Sequence, residues 1–253
     1  MKKKTAVSFG DNTLNFYLPT SWGELTQEQL RIVLTCLTTY DYEVAKVATF
    51  CKLCNVKIIR NINDKTYICR VKKSDGSLVQ FCLSANAMTD ILLNLDWIDM
   101  FGYIPTRIEY IGKNKATDAK LHGVPFGDYL LCENYYQGFL ESQDDKAIIS
   151  IANILYKADL KALSAVEKYS TTMWFATVKL MFAMTFTHFF KKSEVISEEH
   201  NNMLEVMNAQ IRSLTGGDIT KEEKVFEMDC WRALTELDAK AREADEYNSK
   251  IKK

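Results

Sequence analysis

Glycine and proline are scarce in this chain, 10 and 3 among 253 residues. Both punctuate secondary structure, and a sandwich or barrel of short strands needs a turn roughly every 8–12 residues. Long stretches without breakers therefore favour helices, with room for only a few strand pairs. The length allows one large domain or two small ones, and a core that holds without staples. Seven cysteines, Cys36, Cys51, Cys54, Cys69, Cys82, Cys132 and Cys230, are odd in number and irregular in spacing. No apolar leader-like run opens the sequence, so free thiols in a reducing cytoplasm are expected.

Residues 5–18, "TAVSFGDNTLNFYL", predict two short strands about a Gly-Asp-Asn turn, stopped by Pro19. The next stretch, "SWGELTQEQL", marks a helix start twice over. Thr26 and Gln29 have capping-box spacing, and Leu25 and Leu30 have that of a hydrophobic staple. Ser21 and Glu24 offer a second, overlapping pair around Trp22. Leu30, Val33, Leu34 and Leu37 then form a helical stripe. A second helix is expected from Asp41, with Val44, Val47, Ala48 and Cys51 inward, giving a helical hairpin across "TTYD".

"TYICRVKK-SDGS-LVQFCLS" alternates on both sides of a turn and predicts a β-hairpin, with Tyr67, Cys69 and Val71 facing one way and Val79, Phe81 and Leu83 on one face of the partner strand. Ser84 is placed to cap a helix to about Leu95, and Trp97, Met100 and Phe101 extend the apolar surface. A short strand, Arg107 to Ile111, is expected to lead into an exposed, mobile polar loop. Helices are expected over 127–141, 145–156, 162–190 with a break, and 196–215, stopped by Gly216 and Gly217. Thr220 and Glu223 suggest another capping box. From there one long helix reaches Ser249, about 45 Å at 1.5 Å per residue, with Phe226, Cys230, Leu234, Leu237 and Ala241 on one face. Its second half, "DAKAREADEYNSKIKK", is polar enough to project or to lie on a neighbour.

Chemistry-bearing motifs are thin. "CKLC", Cys51 to Cys54, is a lone C-x-x-C at the end of a predicted helix. Without two further ligands at zinc spacing, or a strand before it and a helix after it, core packing is preferred over metal or redox chemistry. His122, His188 and His200 are scattered, with His188 read as a core or boundary residue. No nucleophile elbow and no glycine-rich phosphate loop is present. The pairs Asp144/Asp145 and Glu198/Glu199 fall at helix starts, where they favour the dipole. The aromatic runs "ENYYQGF" and "MWFATVKLMFAMTF" lack interleaved basic residues and read as helix packing, not base stacking. Ser170 to Phe190 is long enough to span a bilayer, but Lys179 near its middle makes a buried core helix the expectation. A net charge of −1 offers no general field for nucleic acid or anionic lipid. The basic ends "MKKK" and "KIKK" read as solvated. No catalytic residue, cofactor or metal ligand is assigned.

Three blocks resemble proteins of tailed phages of gut bacteria, of the crAss-like type. "LPTSWGELTQEQLRIVLTCL" is similar to an opening motif of those proteins. "VPFGDYLLCENYYQGFLESQDDKAIISIANILY", Val124 to Tyr156, and "VFEMDCWRALTELDAKA" are similar to helical segments found with it. Together they span roughly a third of the chain and carry no catalytic residues. The resemblance implies a virion structural or assembly protein, made in the bacterial host cytoplasm, among portal and tail proteins.

The reading is an α+β protein, predominantly α-helical. Residues 1–112 form a mixed region and 113–253 a helical region, or both make one continuous domain. The expected role is a non-enzymatic virion component, a head–tail connector or tail ring subunit. Its expected partners are other copies of itself in a ring and neighbouring portal and tail proteins, without specific nucleic-acid recognition and without a membrane. The alternatives are a cytoplasmic tail-assembly chaperone and an unrecognised enzyme. Phe226, Trp231, Leu234 and Leu237 are the expected subunit-interface residues, with Trp231 the aromatic anchor.

Overall fold

The computed structural model describes residues 3–9, 12–63, 65–73, 75–100, 102–191 and 203–251. Helix outweighs strand, 59% against 15%, so the fold is α+β and predominantly helical, with a long C-terminal helix. The chain divides into two compact units, Met1–Ile108 and Glu109–Lys253.

The first unit opens with an antiparallel ribbon, β1 (Lys3–Phe9) and β2 (Asn12–Leu18). A 3-10 turn at Trp22–Glu24 follows, then α1 (Gln27–Thr39). Thr26 and Gln29 make the expected capping box, each side chain accepting from the other's backbone N–H at 3.1–3.2 Å. The Ser21 cap does not form; Glu24 instead accepts from the Thr20 N–H at 2.8 Å. What the "SWGEL" stretch anchors is Trp22. Its ring is 3% exposed and its indole N–H donates to the Met100 carbonyl at 2.8 Å. Trp97 packs edge-on against it, centroids 5.2 Å apart, and donates to the Pro19 carbonyl. A Cβ at Gly102 would stand 3.2 Å from the Trp22 ring, so the chain passes there only as glycine without a shift.

Helix α2 (Tyr42–Leu53), capped by Asp41, completes the helical hairpin. Its buried face is one residue away from the expected one. Ala45, Lys46, Thr49 and Phe50 are inside, while Val44 is 47% exposed. The register turns on Lys46, whose ammonium meets Asp96 at 2.8 Å and Asp99 at 2.6 Å. A buried cation needs such partners, and two carboxylates outweigh the desolvation that opposes its charge.

The expected hairpin is present as β4 (Thr66–Lys72) and β5 (Leu78–Ser84), with Cys69 opposite Phe81 and Tyr67 opposite Leu83. A third strand, β3 (Val56–Ile62), adds to the far edge of β4, its register broken by a bulge at Ile58/Arg60. One face of this sheet is buried through Cys69, Val71, Phe81 and Leu83. Ser84 caps α3 (Ala85–Leu93) through the Ala87 N–H. Met100 is 69% exposed, so the apolar surface does not continue inward there.

The second unit begins with the stretch expected to be an exposed polar loop, and the structure buries part of it. Only Tyr110–Ile111 of the predicted strand pairs, as β6, with β7 (Asn114–Lys115). Ile111, Ala116, Leu121 and Val124 are buried, while Lys113, Lys115, Lys120 and His122 face outward. Backbone groups of the stretch are bonded to the helices around it. The Trp174 indole donates to the Ala119 carbonyl and the Trp231 indole to the Lys120 carbonyl, both at 2.7 Å. Thr117 N–H donates to the Leu155 carbonyl. Leu121, fully buried, holds a left-handed φ of 64°, a conformation that persists when its surroundings fix it.

The helices of this unit are α4 (Phe126–Ser142), α5 (Asp145–Leu155), α6 (Ala165–Thr185), α7 (Met203–Thr215), α8 (Glu222–Glu227) and α9 (Cys230–Ile251). Helix α5 is capped by Asp144 and α6 by a Ser164/Glu167 box. Gly216 and Gly217 have φ of 67° and 85°, and Gly217 N–H bonds back to the Arg212 carbonyl, ending α7 as a C-terminal stop should. The Thr220/Glu223 box is absent; Asp218 accepts from Thr220 instead. The long helix expected from residue 220 onward is broken at Met228–Asp229. Asp229 Oδ1 accepts from the N–H groups of Trp231 and Arg232, so α9 starts afresh with its own N-cap. Trp174, Phe175 and Phe182 on α6 are fully buried, and among the described residues no helix is long and apolar enough to cross a membrane. Glu198, Glu199 and His200 lie outside the described residues.

Candidate functional site

An apolar concavity of the second unit is walled by three helices. Tyr129, Leu130 and Glu133 come from α4; Val206, Met207, Gln210 and Ser213 from α7; Leu237, Lys240, Ala241 and Ala244 from α9. Phe189 and Phe190 close one side, and the cavity encloses about 620 Å³. Each wall follows helical spacing, so one face of each helix supplies it. Ala209, Ala241 and Ala244 provide the room, since no side chain beyond Cβ fills the space in front of them.

Polar groups brace the walls. Lys240 Nζ donates to the Ser213 carbonyl at 2.6 Å, satisfying an acceptor in the last turn of α7. Glu133 Oε1 accepts from Lys179 Nζ at 2.5 Å and from Gln137 at 2.7 Å. The Lys179 ammonium also stands 5.0 Å from the Tyr136 ring centroid, so the charge that interrupts the apolar run of α6 is an internal ion pair. Glu133 Oε2 and Gln210 Oε1 are buried without a hydrogen-bond partner among the described residues. Burial, reinforced by the Glu133 charge, keeps the Tyr129 phenol protonated well above its usual range.

A second concavity of about 590 Å³ adjoins the first and shares Leu130 and Met207 with it. Pro125, Gly127, Leu131 and Phe226 give it an apolar floor, and Asp128 and Glu227 an acidic rim. Gly127 matters here: a Cβ would stand 3.2 Å from two Phe226 side-chain atoms, so α4 approaches α8 this closely because residue 127 has no side chain. Desolvation raises the Asp128 carboxyl above its usual value, against the weaker pull of Lys157. The two concavities make one apolar trough along α4. Its chemistry is that of a surface that binds by burying apolar groups.

The residues expected to form a subunit interface divide between this trough and the core. Leu234 and Leu237 are 0% and 3% exposed, so the subunit's own helices already cover them. Trp231 is half-buried, wedged against Phe182 and Phe186 at 5.2 and 5.5 Å, with His122 stacked on it at 4.5 Å. Only Phe226, 38% exposed, offers substantial surface to a neighbour. The polar half of α9 is partly held at home too. Asp238 accepts from the His188 and Phe189 N–H groups, and Asp245 bonds Lys191 at 3.1 Å. His188, expected at the core or its boundary, has an exposed side chain, 42% accessible.

The C-x-x-C pair lies in the first unit at the end of α2, Cys54 being the residue just past it. Burial pushes the Cys51 thiol to about 11 and Cys54 to about 12. Among the described residues no three His, Cys, Asp or Glu side chains are grouped to hold a metal. The trough itself was not read from the sequence. The available signal was the alanine series 239, 241 and 244 on a helix otherwise charged, which marks close helix packing. Comparison with protein-family models, curated proteins and solved structures finds no match for the chain.

Proposed function

We propose that the chain is a non-enzymatic virion structural protein of a tailed phage, a subunit of a head–tail connector or tail ring, working beside portal and tail proteins. The reading starts from the three-block resemblance, and one structural observation supports it. The second and third blocks interlock. Cys230 N–H donates to the Val124 carbonyl at 2.9 Å and Phe126 N–H to the Met228 carbonyl at 2.7 Å. Pro125 and Asp229 form a β-bridge, and Gly127 lies against Phe226. The second and third resembling segments therefore belong to one packed body, the second unit, which also carries the apolar trough.

Mass spectrometry of particles purified from the phage that encodes the chain tests the proposal. Stoichiometric recovery with finished particles is expected. Recovery only with unassembled tail protein would make it an assembly chaperone, and recovery with neither would overturn the phage reading.

A further inference from the structure

The outward face of the β3–β4–β5 sheet carries charge of one sign. The strand register fixes which side chains share that face. Lys57 stands directly opposite Arg70, Arg60 opposite Ile68, and Lys72 opposite Leu78. Lys57, Arg60, Arg70 and Lys72 are all exposed, and no Asp or Glu occurs in any of the three strands. Among the described residues none of the four forms a salt bridge. At one end Lys57 and Lys72 also line a concavity together with Lys73. A net charge of −1 over the whole chain conceals this patch.

Two features set the face apart from an ordinary solvated surface. Opposite charges across a strand pair stabilise it, and like charges directly opposite destabilise it. Lys57 and Arg70 are such a like-charged pair, their backbones about 5 Å apart. Lysines on an edge strand block edge-to-edge pairing, which accounts for β3. It does not account for Arg70 and Lys72, because β4 is the central strand and has no free edge.

The arrangement of the cations selects the shape of the partner. From Lys72 to Arg60 they follow β3 and β4 as a track two strands wide and about 13 Å long. An anionic membrane is a plane, whereas a track suits a linear polyanion. The length matches about four phosphates of one strand of a duplex. Protein partners favour faces whose centre is depleted of charge, and here the charge is central. The face also holds no aromatic ring. Tyr67 and Phe81 lie on the other side of the sheet, opposite the buried Leu83 and Cys69. Base stacking therefore has no platform, and the backbone is what remains to be bound. We propose that the outward face of β3 and β4 binds the phosphate backbone of a nucleic-acid double helix through Lys57, Arg60, Arg70 and Lys72, without reading its sequence. The face lies wholly in the first unit, and nothing in its geometry depends on the phage reading.

The test is fluorescence anisotropy of the full chain with a labelled DNA duplex of mixed sequence. With about four phosphates neutralised, affinity should fall about 100-fold between about 50 and 200 mM NaCl, a slope near −3.5 in log K against log salt. Lys57→Gln and Arg70→Gln should each flatten that slope by about 1, and Arg70→Lys should keep it. Lys113→Gln, at an exposed position of the second unit, should change nothing. Lys57→Gln should also hold or raise the denaturation midpoint, because it relieves the like-charged pair, so its weaker binding cannot be put down to lost folding. No binding at the lower salt, a slope that both Gln variants leave unchanged, or tighter binding to the single strand than to the duplex each overturns the proposal. So does tighter binding to phosphatidylserine-containing vesicles, which would make the face a membrane contact. DNA binding by a chain absent from particles would leave the proposal standing and remove the phage role. Presence in particles without DNA binding would do the reverse.

Discussion

Asp229 is where the second unit is most open to a decisive perturbation. Its Oδ1 accepts from the Trp231 and Arg232 N–H groups at 3.0 and 3.2 Å, and its Oδ2 accepts from Gly123 N–H at 2.6 Å. One carboxylate thus starts α9 and fastens the 109–125 stretch to it. Asp229→Ala removes both jobs. Loss of an N-cap costs about 0.5–2 kcal/mol. The bond to Gly123 is charge-assisted, but Gly123 is exposed and water replaces the lost acceptor, so about 0.5–1.5 kcal/mol is the proper range, not the buried figure. The sum is about 1–3.5 kcal/mol, roughly 5- to 400-fold in the opening equilibrium. Asp229→Asn keeps an acceptor oxygen for the cap and should cost about half as much. Two units can unfold separately, so a single melting curve is a poor assay. Hydrogen-exchange mass spectrometry of the 117–124 and 230–236 peptides reads the right region, while the α1 peptides serve as internal control. Equal protection of both peptides in wild type and Asp229→Ala would refute the argument that this residue holds the stretch in place.

Three further outcomes follow from the same geometry. Thr26→Ala should lower the stability of the first unit by about 0.5–2 kcal/mol, and an unchanged denaturation midpoint would count against the capping box. Lys179→Ala strips Glu133 of its cation; with Lys179 25% and Glu133 15% exposed, the cost should be about 2–3 kcal/mol, below the figure for a fully buried pair, and a loss under 1 kcal/mol in urea titration would show the pair to be idle. At pH 8 a thiol held near 11 is ionised in about one molecule in a thousand, so iodoacetamide should modify exposed Cys82 well before Cys51 and Cys54; rising pH should speed Cys51 labelling up to about 11, and equal rates at pH 8, or stoichiometric zinc lost in Cys54→Ser, would sink the packing account.

Where the sequence was legible, a local rule decided the outcome alone. The Thr26/Gln29 box, the Asp41 and Ser84 caps, the Ser-Asp-Gly hairpin and the Gly216–Gly217 stop each concern groups within a few residues of one another. Some failures were local, as where Asp229 caps a new helix inside the expected long one, but the larger ones were decided at long range. Lys46 reads as a solvent-side residue until Asp96 and Asp99, 50 and 53 positions away, are brought to it. Strand β3 is mixed in pattern, with only Val56 buried, and exists because β4 offers a free edge. The 109–125 stretch looked like a loop because its outward residues are lysines and polar groups. Its inward ones, Ile111, Ala116, Leu121 and Val124, follow no helical or strand period, and the tryptophans that hold its carbonyls sit 55 and 111 residues further on.

The same distinction decides how α9 can be cut. Its composition from residue 239 onward suggests a projecting helix that could be removed without harm to the fold. The structure places the boundary one to two turns later. Lys240 bonds the end of α7, Ala241 and Ala244 line the trough, and Asp245 holds Lys191, whose hydrogen bond lowers the Asp245 carboxyl below its usual value. Beyond Asp245 the side chains are exposed through Ile251. A truncation after residue 238 therefore uncovers the trough and should destabilise the second unit, seen as increased exchange in α7 and α9. A truncation after Asp245 removes Tyr247 and Ile251, both exposed, and should leave exchange in α4, α7 and the rest of α9 unchanged. If both truncations unfold the unit equally, the last turns belong to the core. If both leave it untouched, the bracing by Lys240 and Asp245 contributes nothing, since an isolated helix of this polarity gains its stability from packing.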